Sequence, residues 1–161
     1  MKKIQVYASN RTIKALLSKY TFCFKPRHGY KPIMKANIVK NSFKIKNTKH
    51  TMKIIPFDVI HGMIKATGFL FEKVAYISDC NKIPNSSIKN LYNLNYLVLD
   101  CLKLSKHPSH FNLSEALELI NLVRPKKTIL TNLHTDLDYN DLKKMLPKNV
   151  YPAFDGMVFN F

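Results

Sequence analysis

The chain has 161 residues, of which 46% are hydrophobic, and its Lys and Arg exceed its Asp and Glu by 26 to 10. This length suits one domain and the apolar fraction suffices for a core, so we expect a globular α/β or α+β fold and exclude disorder. No apolar run approaches the ~20 residues of a membrane span and no signal-peptide core follows Met1, which predicts a cytoplasmic protein with no membrane partner.

The net charge of +16 favours a polyanionic partner such as RNA, DNA or an anionic surface. Two facts weaken this interpretation. Lys outnumbers Arg by 23 to 3, although guanidinium suits phosphate and base contacts better, and A- and T-rich codons alone would enrich lysine. A solvated edge strand is favoured over a nucleic-acid groove for the remaining basic cluster, which comprises Lys35, Lys40, Lys44, Lys46, Lys49 and Lys53.

The cysteines do not form a disulfide or zinc pattern. Their number is odd and no CxxC pair occurs among Cys23, Cys80 and Cys101. We therefore expect reduced thiols that behave as small buried hydrophobes.

In chain order, the first half of the sequence predicts a strand, a helix and then mostly strands. The helix runs to about Lys19 with its cap at Ser9 or Asn10. A loop is predicted over residues 21–34, which include two prolines and a glycine. The predicted strands cover residues 3–8, two or three segments between 36 and 59, 69–71 and 74–77.

The second half alternates helix and strand. Asn112 and Glu115 form a predicted capping box for a helix that Pro125 ends. Asp138 is assigned to the cap of the last helix. The remaining predictions are a short helix over 86–94, strands over 96–100 and 128–130, and a terminal hairpin over 150–161 that turns at Asp155 and Gly156.

Four chemically active residues stand where hydrophobic runs stop: His61, Asp79, His110 and His134. Groups delivered from the ends of several strands converge on one rim of an α/β fold, where such folds build ligand and metal sites. This pattern predicts part of a metallohydrolase site.

Each of these residues alone also has an ordinary structural explanation. Asp79 in an Asp-Cys-Asn sequence is typical of a turn cap, and a lone histidine such as His61 is more often hydrogen-bonded than ligating. His107 and His110 could share a metal, but the proline between them excludes a common helical face. His110, next to a capped helix, suits proton transfer to an anionic substrate.

Taken together, these segments resemble the C-terminal half of the metallo-β-lactamase-fold hydrolases. The resemblance is to the branch of phosphoribosyl cyclic phosphate phosphodiesterase and, more distantly, to ribonuclease Z. It is stronger over residues 52–161 and weaker over 1–51, within one partial domain spanning 1–161. The segments that carry it are 57–62, 74–79, 97–100, 107–111, 130–139 and 151–157. It implies half of an αββα sandwich, with a mixed sheet and flanking helices.

The resemblance also implies roles for the candidate residues in a two-metal zinc or manganese centre that hydrolyses a phosphodiester. His61 would bind one metal, Asp79 would bridge both, and His134 would bind the second, while His110 would assist proton transfer to the leaving group. The commonest family form has histidine where this chain has Asn132, directly after a threonine. Possible supporting residues around the ligands are Asp136, Asn132 and His107.

The HxHxDH loop that supplies most of this family's ligands does not occur in the sequence. By resemblance it would lie upstream of Met1, so we expect a truncated hydrolase that is inactive alone. The expected partners are a complementary N-terminal fragment or a homo-oligomer, and a phosphodiester small molecule or RNA once the site is complete. The alternative function is a small basic module that binds nucleic acid without metal.

Overall fold

A computed structural model describes residues 2–46 and 50–160 of the chain. The fold divides into two compact units, residues 1–43 and residues 44–161.

The first unit is a short parallel ribbon with two helices. Strand β1 (Ile4–Ala8) pairs in parallel with β2 (Met34–Ile38), so that Val6 lies beside Ala36. Helix α1 (Asn10–Lys19) begins at Ser9, whose side-chain oxygen accepts the Thr12 backbone N–H, as the sequence predicts. The loop prediction is wrong in part, because α2 (Thr21–Phe24) forms one helical turn inside it.

A mixed sheet of seven strands organises the second unit. Their order across the sheet follows the chain from β3 to β9. Strand β5 is antiparallel to both β4 and β6, whereas β6, β7, β8 and β9 run parallel to one another. The strands are β3 (Phe43–Lys46), β4 (Thr51–His61), β5 (Ile64–Phe71), β6 (Val74–Ile77), β7 (Tyr96–Asp100), β8 (Lys127–Thr131) and β9 (Val150–Pro152).

Helices join the parallel strands and cover the core. They are α3 (Asn85–Ile88) with a 3₁₀ turn at Lys89–Leu91, α4 (Leu113–Val123) and α5 (Tyr139–Met145). Strands buried on both faces carry continuous aliphatic runs, and Leu97, Leu99 and Leu130 are fully buried accordingly. The capping box of α4 is present, since Asn112 and Glu115 exchange side-chain to backbone hydrogen bonds. Asp138 caps α5 as predicted.

The predicted terminal hairpin is wrong. Strand β9 pairs in parallel with β8, and residues 153–160 form no strand. A turn does form at the predicted place, where the Met157 N–H donates to the Phe154 carbonyl. The Asp155–Gly156 pair predicted a hairpin turn, but the residues after this turn do not pair with β9.

The basic strand lies where the sequence predicts. Strand β3 is at one edge of the seven-stranded sheet, and Lys44 and Lys46 on it are exposed. Ile45 is also 48% exposed, so the predicted strict alternation fails at this residue. Lys49 lies outside the described residues.

Cys80 and Cys101 are fully buried and Cys23 is partly exposed, all three as free thiols. Within residues 2–46 and 50–160, no helix is both long enough and apolar enough to cross a bilayer.

Candidate metal centre

The sheet topology brings four strand ends to one edge. Strands β4 and β6 are each antiparallel to β5, so β4 runs in the same direction as β6, β7 and β8. The carboxyl ends of these four strands therefore lie together. His61 ends β4, Asp79 follows β6, Asp100 ends β7 and Asn132 follows β8.

Three of the predicted residues meet at this edge. One ligand atom each from His61, Asp79 and His110 lies within 4.8 Å of the other two. Asp79 is exposed, whereas both histidines are partly buried. The imidazole rings of His61 and His110 contact each other edge to face, with centroids 4.6 Å apart.

A backbone carbonyl fixes the ring of His61. Its Nδ1 lies 2.9 Å from the Ser109 carbonyl oxygen. A carbonyl only accepts hydrogen bonds, so Nδ1 donates and Nε2 keeps its lone pair. The side chain of Asn81 ties the same loop to β4, accepting the Gly62 N–H at 2.9 Å and donating to the Pro108 carbonyl at 3.1 Å.

A buried carboxylate fixes the ring of His110. Nδ1 of His110 lies 2.7 Å from Oδ2 of Asp100, a residue with no solvent exposure. Asp100 also accepts the Cys80 backbone N–H at 2.8 Å and the Asn132 amide N–H at 3.0 Å. Burial raises the pKa of the Asp100 carboxyl, while the hydrogen bonds from Cys80, Asn132 and His110 oppose that rise.

Sequence reasoning placed Asp100 on a matching strand but gave it no role. The signal that identifies it is a carboxylate at the end of a strand whose other residues are nearly all aliphatic. A carboxylate buried there needs hydrogen-bonding partners, because burying an unpaired charge is costly. The three donors around Asp100 meet that requirement.

Asn132 occupies the centre of this group as a left-handed residue, with φ of +62°. Its amide nitrogen donates to Asp100 and lies 3.2 Å from Nδ1 of His110. The second contact is no hydrogen bond when that Nδ1 donates to Asp100, since both atoms are then donors. Asn132 therefore stabilises the position of the Asp100 carboxylate, which in turn orients the ring of His110.

The remaining predicted residues lie at different places. His107 contacts His110 with ring centroids 5.1 Å apart, and partial desolvation and then the nearby His110 and Lys103 lower its pKa. His134 is outside the group of three. Its Nδ1 pairs with the Asp136 carboxylate at 3.1 Å, and both side chains are about half exposed.

The three grouped residues fit a divalent cation. Imidazole nitrogen and carboxylate oxygen are ligands that zinc and manganese accept, and three protein ligands are usual for a catalytic zinc. Both histidines have the free Nε2 that binding requires. Their Nδ1 atoms donate to a carbonyl and a carboxylate, the arrangement that commonly orients metal-binding histidines.

Comparison with known proteins supports the fold. Among solved structures, a diphosphatase from the PhnP family has a TM-score of 0.84 and 27% identity, and the match covers 97% of this chain and 57% of that one. Zinc-bound PqqB from Methylobacterium extorquens has a TM-score of 0.77 at 11% identity, covering 99% and 66%. The latter shows the fold alone.

One curated relative is an octanoyltransferase from Porphyromonas gingivalis (strain ATCC BAA-308 / W83), 24% identical over 161 residues. The match covers 97% of this chain but only 32% of that protein. The chain thus spans about a third of this relative and little more than half of the diphosphatase.

The sequence profile of the Beta-lactamase superfamily domain matches residues 1–132. That match agrees with the mixed sheet and its flanking helices. It also agrees with the predicted relationship to phosphoesterases of this fold. The chain belongs to the beta-lactamase superfamily and has the metallo-β-lactamase fold.

Proposed function

We propose that this chain contributes a divalent-metal site to a hydrolase that cleaves phosphoesters. The observation that carries the proposal is the grouping of His61, Asp79 and His110 within 4.8 Å at the carboxyl edge of the sheet. The diphosphatase relative supports the substrate class, and the zinc in PqqB supports the metal.

In this proposal His61 and His110 bind through Nε2 and Asp79 binds through a carboxylate oxygen. When bound, the cation supplies a Lewis acid for the phosphoryl oxygen of the substrate. The chain positions that chemistry through a fixed set of hydrogen bonds. The Ser109 carbonyl orients His61, and Asp100 orients His110 while Asn132 holds Asp100.

Hydrolysis of a phosphodiester adds water to phosphorus and breaks the bond to the leaving oxygen, which takes a proton. With His110 bound through Nε2, the neighbouring His107 is the imidazole that can transfer it. The role of His110 as proton donor, expected from the family resemblance, is the second candidate. The 2.7 Å hydrogen bond to Asp100 favours it, because this carboxylate holds the ring in one orientation.

The proposed activity needs more ligands than these three residues provide. A pair of metals in this fold draws most of its ligands from HxHxDH, which is absent from the 161 residues. We propose that a complementary polypeptide carries that motif and completes the site, and that His134 binds no metal in its absence. The chain alone should then bind one cation and show no phosphodiesterase turnover.

Cobalt titration monitored by visible absorption, with zinc competition, tests the site directly. His61→Gln and Asp79→Asn should each lower cation affinity by more than about a hundred-fold, because each removes one of three protein ligands. His134→Gln is the matched control and should leave affinity unchanged. Equal effects from His134→Gln and His61→Gln would refute the ligand set.

Hydrolysis of bis(p-nitrophenyl) phosphate with added zinc or manganese tests the completed site. The chain alone should be inactive, and co-expression with a polypeptide carrying HxHxDH should produce turnover and a heterodimer by light scattering. Metal-dependent turnover by a monomer of the chain alone would contradict the need for further ligands. Failure of the heterodimer to turn over the diester, with cation binding intact, would reject the substrate class alone.

A further inference from the structure

The charges of this protein are divided very unequally between its two units. The first unit, residues 1–43, contains ten Lys and Arg and no Asp or Glu, so it carries +10 of the total +16. All ten cations are exposed, and no ion pair among the described residues includes one of them. They are Lys2, Lys3, Arg11, Lys14, Lys19, Lys25, Arg27, Lys31, Lys35 and Lys40.

Codon composition does not explain this division. A- and T-rich codons enrich lysine throughout a chain, but Asp and Glu codons are also compatible with such a bias. All ten acidic residues nevertheless fall at or after Asp58. The first unit therefore has a positive field that its own side chains do not neutralise, which attracts polyanions.

Within this unit, residues 23–33 form a closed loop, which we call the basic loop. The Ile33 N–H donates to the Cys23 carbonyl at 3.1 Å and closes its base. Near the tip, Arg27 and Tyr30 exchange two backbone hydrogen bonds of 2.9 and 3.2 Å. The loop thus holds Lys25, Arg27 and Lys31 on a defined backbone.

Exposed aromatic rings lie on and beside the basic loop. Tyr30 is 79% exposed, while Phe22 and Tyr20 in the preceding segment are 58% and 50% exposed. A largely solvated ring contributes little to a core. Rings interleaved with cations are instead the composition of surfaces that bind single-stranded nucleic acid, where bases stack on the rings and cations contact phosphates.

We propose that the basic loop and the adjacent end of α1 bind single-stranded nucleic acid. Lys19, Lys25, Arg27 and Lys31 contact phosphates, and Tyr30 stacks on a base. Single strands fit better than duplexes, because only unpaired bases offer their faces to a ring. Lys25 and Arg27 separate Tyr30 from Phe22 in sequence, which disfavours the continuous apolar face that membrane insertion uses. The surface acts independently of the metal centre.

Fluorescence anisotropy with labelled twelve-residue oligouridylate and oligothymidylate measures the proposed binding. Vesicles of phosphatidylglycerol and phosphatidylcholine provide the membrane arm. Tyr30→Ala should weaken oligonucleotide binding by about fivefold or more, since stacking is worth ~1–3 kcal/mol per base. The triple variant Lys25→Gln, Arg27→Gln, Lys31→Gln should also lower the slope of log affinity against log salt by about 2, given ~0.7 per phosphate contact.

The matched control removes three exposed lysines from the second unit, through Lys126→Gln, Lys143→Gln and Lys148→Gln. It changes net charge equally and should retain most of the affinity. Binding of either oligonucleotide with these losses supports the proposal, and the tighter of the two identifies the natural nucleic acid. Equal losses in both triple variants, no effect of Tyr30→Ala, or binding to vesicles alone would overturn it. Circular dichroism of each variant excludes unfolding as the cause of a loss.

Discussion

Two histidine–aspartate pairs lie in the second unit and differ in almost every physical respect. In the first, Asp100 is fully buried, His110 is 14% exposed, and the two atoms are 2.7 Å apart. In the second, His134 and Asp136 are 51% and 55% exposed and 3.1 Å apart. His110 of the first pair belongs to the group of three candidate ligands and contacts His61, whereas His134 and Asp136 lie outside that group.

The difference shows how burial allows an ion pair to hold a side chain in one orientation. Exposed pairs contribute little because water competes for both partners and the side chains lose conformational entropy. A buried carboxylate cannot exchange its partners for water, so Asp100 keeps three donors and fixes one ring orientation of His110. The predictions below test this contrast.

The largest effect is expected from His110, and the exposed His134 is its control. His110→Gln should lower cation affinity by more than about a hundred-fold, since loss of a ligand should exceed the effect of losing a ligand's hydrogen-bonding partner. His134→Gln should change affinity by less than about twofold, in line with a solvated pair. Isothermal titration with zinc at constant buffer and pH gives both values.

An opposite pattern is also informative. If His110→Gln retains cation affinity while the completed enzyme loses turnover by about a hundred-fold, His110 is the proton donor and not a ligand. Loss of affinity in His134→Gln would place His134 in the metal centre.

The next effect concerns the carboxylates. Asp100→Asn should lower cation affinity by about ten- to hundred-fold, the usual cost of removing the partner that orients a ligand. Asp136→Asn is the exposed counterpart and should have no measurable effect. Proton NMR provides a second measurement. The Nδ1–H of His110, hydrogen-bonded to Asp100, should give a downfield resonance that Asp100→Asn removes and Asp136→Asn retains. Equal affinity in the two variants would show that burial of the pair has no influence on the site.

Much of the fold could be predicted from the sequence, because its signals are local. The capping residues Ser9, Asn112 and Asp138 and the aliphatic run before Asp100 each specify one element. The errors occur where the structure depends on pairing between segments that are distant in sequence. The tail after β9 could not reveal that β9 pairs in parallel with β8, and the loop over residues 21–34 did not reveal its tight turn and helical turn.

The candidate site was predictable in part for the same reason. His61, Asp79 and His110 follow hydrophobic runs, and the sheet topology brings those ends together. His134 follows a run too, but the backbone turns after Asn132 and its side chain pairs with Asp136 instead. Asp100 received no role, since only the packed structure shows that a buried carboxylate faces His110.

A smaller effect is expected from two glycines that both have positive φ, Gly62 at +61° and Gly29 at +81°. Alanine at either position should cost about 1 kcal/mol of stability for the left-handed backbone. A Cβ on Gly62 would also lie 3.1 Å from Ser109 Cβ, in the loop that holds His110, whereas Gly29 has nothing within 4 Å. Gly62→Ala should therefore lower Tm more and weaken cation binding. Equal Tm values for the two variants and unchanged cation affinity would show that the loop at Ser109 shifts without cost to accommodate the added Cβ.

The smallest test uses the two cysteines beside the buried carboxylate: Cys101 follows Asp100 in sequence, and the Cys80 backbone N–H donates to it. Cys80 and Cys101 have no solvent exposure, and burial raises the pKa of each thiol to about 12. The thiolate is the form that alkylating reagents attack, so at pH 8.5 both cysteines should be protected by inaccessibility and by protonation. Partly exposed Cys23 should react alone with iodoacetamide, giving one modification by mass spectrometry, and three should appear in guanidinium. Raising the pH to 9 should add no second site, because that pH is still far below the pKa of the two buried thiols. Labelling of Cys101 at the rate of Cys23 would mean that the region around Asp100 opens readily, which would contradict the rigid positioning inferred for His110.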